Sequence, residues 1–242
     1  MEELKTLIFA VTGGILPALL WLWFWLKEDA AHPEPRNRIA ISFLAGMGAV
    51  FLALVLEHAT CSLMGYASCI GFGGNDTLAV LLALIEEGVK FFVVFLIIFH
   101  SRYFDEPVDA LIYLITVALG FAAMENTMYL LDTMTNQGIT MGIINGNLRF
   151  IGATVLHVAS SAVLGITIAF TFYRHMAERV LWAVVGIIVA TLLHTLFNLS
   201  IIKAETIGES LKVFSYVWVA IVIIMLTFEK VKHIEPEKEY VR

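Results

Sequence analysis

The sequence predicts an all-α fold: a polytopic membrane helix bundle of about seven transmembrane helices closed around a polar intramembrane site. Three observations predict it. Of 242 residues, 60% are hydrophobic and 15% charged, with a mean hydropathy of +0.86, whereas roughly a quarter of the residues of a soluble domain are charged. Seven apolar runs are long enough to cross a bilayer, which takes about 20 residues at ~1.5 Å each. The linkers between them are short and hold no repeat, low-complexity tract or soluble insert, so residues 1–242 read as one domain. A backbone in hydrocarbon must satisfy its own hydrogen bonds, and helices do so. The same composition excludes disorder and a disulfide-stapled miniprotein. A net charge of -6 offers no basic footprint, so no nucleic-acid partner is expected.

The first run, residues 7–26, follows Glu2 and Glu3, which spoil a basic signal-peptide start, and no small-x-small cleavage site comes after it. It is expected to remain as an anchor, with Trp21, Trp23 and Trp25 as an interfacial aromatic belt. Run two covers 39–56; its Gly46 and Gly48, with Gly120, are expected at close helix contacts. Next come Cys61, Cys69 and the triplet Asn75-Asp76-Thr77. Run three (78–99) carries Glu86, Glu87 and Lys90, and run four (110–131) carries Glu125 and Asn126. In run five (148–173) stand His157, Ser160 and Ser161, and in run six (180–202) His194 and Asn198. Run seven, 211–228, closes the bundle.

Lys and Arg set the orientation. Lys27, Arg36, Arg38, Arg102, Arg174, Arg179, Lys230, Lys232, Lys238 and Arg242 fall on one side, against Lys5, Arg149, Lys203 and Lys212 on the other. The excess puts the N-terminus outside the cell membrane and the C-terminus in the cytoplasm. Cys61 and Cys69 then share an external loop, where a bridge between them can persist.

The polar groups inside the runs need an explanation. A charged side chain at mid-membrane costs roughly 2.5–3.5 kcal/mol, so three carboxylates and an ammonium left unpaired would cost on the order of 10 kcal/mol. They must face inward and meet one another. Glu86 and Lys90 are four apart and share a face, as do His157 with Ser161 and His194 with Asn198. Counted at ~1.5 Å per residue from the outer ends of their runs, Glu86, Glu125, His157 and His194 all lie about 9–14 Å deep. Helices of alternating direction agree in depth where they build one site.

Carboxylates and imidazoles in a low-dielectric pocket are the parts for activating water: a Glu takes the proton and a His or Asn stabilises the oxyanion. The same Glu86, Glu125, His157 and His194 also suit zinc or another divalent metal. H-E-x-x-H and G-x-S-x-G are absent, and Asp109 and Asp132 sit near run ends, which argues against an aspartyl pair. Structural readings stand beside these. Glu86 and Glu87 can form an ion pair with Lys90 or Arg149, and Asn126, Ser160 and Ser161 can serve helix–helix hydrogen bonding.

The ordered set Glu86-Glu87-Gly88-Val89-Lys90, Phe121-Ala122-Ala123-Met124-Glu125-Asn126, His157 and His194-Thr195-Leu196-Phe197-Asn198 resembles the PrsW intramembrane proteases, relatives of the CAAX prenyl endopeptidases and bacteriocin-processing enzymes. Pro33-Glu34-Pro35-Arg36 and Phe104-Asp105-Glu106-Pro107-Val108-Asp109 resemble them too. The resemblance implies an intramembrane endopeptidase that cuts a membrane-anchored protein, such as an anti-sigma factor, on the outer side in regulated intramembrane proteolysis. By that resemblance Glu86 activates water beside Glu87, His157 and His194 match the histidine motifs, and Asn198 stabilises the oxyanion. Lys90, Asn126 and Ser161 support them. Glu125 stands where the CAAX branch has a histidine, so the water-binding geometry of that branch does not transfer cleanly; two glutamates and two histidines make a metal more plausible here, with metal-free glutamate chemistry kept slightly ahead of it. Two other functions compete: a proton- or ion-translocating protein, since intramembrane Glu and His mark ion paths, and a non-catalytic scaffold, since the superfamily resembles a scaffold subunit of gamma-secretase.

Overall fold

The computed structural model describes residues 2–29, 33–66 and 75–235. Among them are eight α-helices and no strand: α1 (Glu2–Glu28), α2 (Arg36–Leu63), α3 (Asp76–Ile97), α4 (Pro107–Gln137), α5 (Ile139–Ile151), α6 (Ala153–Phe170), α7 (Met176–Lys203) and α8 (Ile207–Val231). Six helices, with α5 and α6 taken as one run, are long and apolar enough to cross a membrane. The seventh expected span, α3, misses that standard because Glu86, Glu87 and Lys90 fall within its 22 residues. It nonetheless packs among α2, α7 and α4.

Helix α4 is the axis. It lies against α1, α2 and α6, and every residue from Pro107 to Ala123 is buried. A helix apolar on all sides belongs inside, and this one has apolar side chains around its whole circumference. Its contact with α2 is backbone to backbone. A Cβ on Gly46 would fall on the Val117 carbonyl oxygen, and one on Gly120 would fall on that of Phe43. Gly48 meets nothing, so it does not share their close-packing role.

The start of α4 accounts for one sequence motif. Asp109 accepts from the backbone N–H of Asp105 (2.9 Å) and Glu106 (2.7 Å), completing a capping box with Pro107 in the first turn. One turn on, the Tyr113 hydroxyl donates to Glu34, tying the second motif to the first. Asp109 is thus a cap, not half of an aspartyl pair.

Two further expectations need correction. The tryptophans are not a belt: Trp25 is buried beside Phe228 and Phe24, Trp21 packs on Phe24 and Trp218, and only Trp23 faces out, with the Lys27 ammonium 4.2 Å over its ring. Nor is the fifth run, 148–173, one helix. It starts inside α5 and breaks at Gly152, where a Cβ would enter the Phe214 ring, so the chain turns where α8 approaches it. In the triplet Asn75-Asp76-Thr77, Asn75 caps α3 by accepting from the N–H of Thr77 and Leu78 (2.9 and 3.3 Å). Cys61 is buried at the end of α2, whereas Cys69, and with it the expected bridge, lies outside the described residues.

Candidate active site

Glu86 and Glu87 follow one another on α3, and the 100° helical step sends them to different surroundings. Glu87 is fully buried and hydrogen-bonded on all sides. Its Oε1 accepts from Lys90 (2.8 Å) and Ser160 (2.9 Å) and meets His194 Nδ1 at 2.8 Å, while Oε2 accepts from Ser161 at 3.3 Å. Glu86 reaches a cavity instead. Its Oε2 is buried without a hydrogen-bond partner, 3.8 Å from both His194 Nε2 and Lys90 Nζ. Of the two adjacent carboxylates, Glu87 is saturated with hydrogen bonds and Glu86 keeps an oxygen open.

The histidines are oriented from other helices. Glu87 fixes Nδ1 of His194, so its Nε2 points at Glu86. A carboxylate behind an imidazole in this way sets the tautomer and raises the basicity of the free nitrogen. His157 lies between Lys90, whose Nζ is 2.8 Å from Nδ1, and Glu125, whose Oε2 is 2.8 Å from Nε2. An ammonium can only donate, so Nδ1 accepts and Nε2 carries the proton towards Glu125. The two rings meet edge to face at 5.2 Å. Neither imidazole takes its partner from its own helix. Ser161 turns to Glu87, and Asn198 lines the cavity one turn beyond His194.

Glu125 has half-open access, with 35% of its side chain exposed. Its Oε1 accepts from Arg149 of α5 at 2.7 Å. Arg149 also donates to Asn126 (2.6 Å), whose amide in turn donates to Thr154 (2.9 Å). The ion pair expected between Arg149 and the Glu86–Glu87 pair is therefore an Arg149–Glu125 pair. Likewise, Lys90 sits closer to Glu87, three residues away, than to Glu86. Glu57 of α2, which the sequence reading passes over because its run stops at residue 56, lies within electrostatic reach of Glu86, Glu125, Lys90 and His194.

The cavity holds about 250 Å³. Its lining is part polar (Glu86, Glu125, Arg149, His157, His194, Asn198) and part apolar, with Leu148, Ala153, Leu156, Phe197 and Phe214 among the apolar members. It extends to Ile201 and Ser210, either side of the α7–α8 turn.

Carboxylates and imidazoles meeting beside a cavity, within helices that cross a membrane, define an intramembrane hydrolase. The chain belongs to the PrsW family of intramembrane metalloproteases, whose family model matches residues 34–227. It is 28% identical to Protease PrsW of Halalkalibacterium halodurans over 193 residues, 78% of this chain and 81% of that one. Protease PrsW of Bacillus subtilis is 24% identical over 184 residues, 76% and 78% of the two chains. That of Clostridioides difficile is 27% identical over 188 residues, 76% of each. No solved structure matches the chain.

The residues fit a metal. One ligand atom from each of Glu86, His157 and His194 lies within 4.8 Å of the others. The partnerless Glu86 Oε2 and the oriented His194 Nε2 both face the gap, and a mixed N/O set of this kind suits zinc. His157 joins them only by exchanging its Glu125 contact for the ion.

Proposed function

We propose that residues 1–242 form one protease unit that hydrolyses a peptide bond in a membrane-anchored protein, with metal assistance, from the outer half of the bilayer. One observation carries this reading: a buried, partnerless Glu86 oxygen beside an oriented histidine nitrogen at the floor of a cavity. An unsatisfied buried carboxylate oxygen is costly and persists where a reacting group or ion meets it.

Glu86, His157 and His194 would hold the metal, which when bound supplies Lewis acidity towards the scissile carbonyl. The chain's own groups divide the rest. Glu87 holds His194, and Lys90 holds His157. To hold the ion, His157 would give up the Nε2 proton that it directs at Glu125, 2.8 Å away, and that proton would leave through the cavity to solvent. Glu125, on the open side of the cavity and again unprotonated, would take a proton from the attacking water, a role the resemblance assigns to Glu86. Arg149 keeps Glu125 in the cavity wall, and Asn198 offers its amide to the developing oxyanion.

The apolar part of the cavity lining suits an apolar side chain of the substrate against Leu156 and Phe197. An anti-sigma factor with one membrane span fits this description.

Cells carrying wild-type or Glu86→Gln protein, compared by membrane proteomics for shortened external fragments, test the reading. Fragments should appear only with wild type, while Glu86→Gln protein accumulates and folds normally. Equal fragments from both would end it. Cutting by the purified protein that survives exhaustive chelation would leave glutamate-activated water without a metal.

A further inference from the structure

Packing along α2 carries a further acidic side chain to this centre. Ala49, Val50 and Ala53 share a buried cluster with Ile85 and Val89 of α3 and with Phe121 and Met124 of α4. Two turns on, Cys61 is buried with Leu78 and Leu82 of α3. Glu57 stands one turn after Ala53 and one turn before Cys61, on the same stripe of the helix. These clusters make α2 and α3 antiparallel, so the turn of α3 facing Glu57 is the one from Leu82 to Glu86. On α4 it is the turn that follows Met124, which begins with Glu125. The electrostatic neighbours of Glu57 agree, for they are Glu86, Glu125, His194 and Lys90.

Among the described residues, the centre then gathers Glu57, Glu86, Glu87 and Glu125 against two permanent cations, Lys90 and Arg149. The formal excess is two negative charges. In a low-dielectric interior such an excess is costly unless a counter-charge meets it, and a divalent cation is that counter-charge. We propose that Glu57 is a fourth carboxylate of the metal centre, supplying from α2 the negative charge that raises its affinity for a divalent cation. This rests on the metal-assisted reading above. It makes Glu57 a positioning residue for the ion and assigns it no step in peptide hydrolysis.

The test uses the full chain in lipid nanodiscs, with zinc titrated against a chromophoric chelator and thermal unfolding followed with and without zinc. Wild type should bind one zinc. Glu57→Gln should bind at least tenfold more weakly, the size of effect typical of residues that support metal ligands, and Glu57→Asp should fall between. Without zinc, Glu57→Gln should unfold at or above the wild-type temperature, since a repelling charge has gone. A purely structural Glu57 gives the opposite pattern, a lower zinc-free melting temperature with unchanged affinity, and that result overturns the proposal. Equal affinities in wild type and Glu57→Gln remove it alone, whereas a wild type that binds no zinc removes it together with the metal reading. If Glu57→Gln does not fold, wild-type zinc affinity in Glu57→Asp is the overturning result.

Discussion

Lys90 has the most demanding role of any single residue. It is fully buried, bridges Glu87 and His157, and lies 4.6 Å over the Phe121 ring. Breaking a buried pair leaves an uncompensated charge, at a cost of about 3–5 kcal/mol. Lys90→Met should therefore lower the melting temperature sharply as well as stop cleavage, in contrast to Glu86→Gln, which should stop cleavage alone. Thermal unfolding of the two variants in detergent makes the comparison. The sequence supplied the identities of these residues and their shared depth, but not their partners. A spacing of four suggested Lys90 with Glu86, while rotamers and neighbouring helices selected Glu87. Nor could spacing reveal that Arg149 serves Glu125, since the two are 24 residues apart and on different helices.

For the helices, the α2–α4 crossing and the break at Gly152 matter most. The first sets the distance between the two helices that carry Glu57 and Glu125. Gly120→Val puts a branched side chain into the Phe43 backbone, which cannot yield as a side chain would. Overpacking typically costs about 1–3 kcal/mol, so the variant should unfold at a lower temperature, whereas Gly48→Val, in open space, should match wild type. At Gly152 the Phe214 ring occupies the place of a Cβ, and Phe214 in turn stacks on Phe197 at 6.0 Å. Both rings line the cavity, so this packing shapes its apolar lining. Apolar runs expose such helices readily. A glycine break inside a run stays hidden from hydropathy, because glycine interrupts neither length nor apolarity.

Across the whole molecule, the cavity extends towards the α7–α8 turn, at the end of the bundle that also holds the α4–α5 connection at Gly138. From the Lys and Arg balance we propose that this end lies outside the cell. Single cysteines at Ser210 and at Glu178, each in a background with Cys61 and Cys69 replaced by Ala, should differ in labelling by a membrane-impermeant maleimide applied to intact cells. Ser210→Cys should react and Glu178→Cys should not. Reversed labelling would turn the protein over and move the proposed cut to the cytoplasmic side.

Composition and apolar run length by themselves determined that the chain is a membrane bundle and where most of its helices run, and led to the expectation that Glu86, Glu125, His157 and His194 share one level. These follow from one-dimensional quantities: a bilayer has a fixed thickness, a helix a fixed rise, and a charge in hydrocarbon a large cost. Only the tertiary structure decided which carboxylate is saturated and which is left open, that Arg149 and Glu57 come to the centre, and that α4 rather than any other helix is its axis. Those outcomes depend on helix rotation and on which neighbours pack together. Rotation is fixed by contacts such as Gly46 on Val117, which no single run of sequence contains.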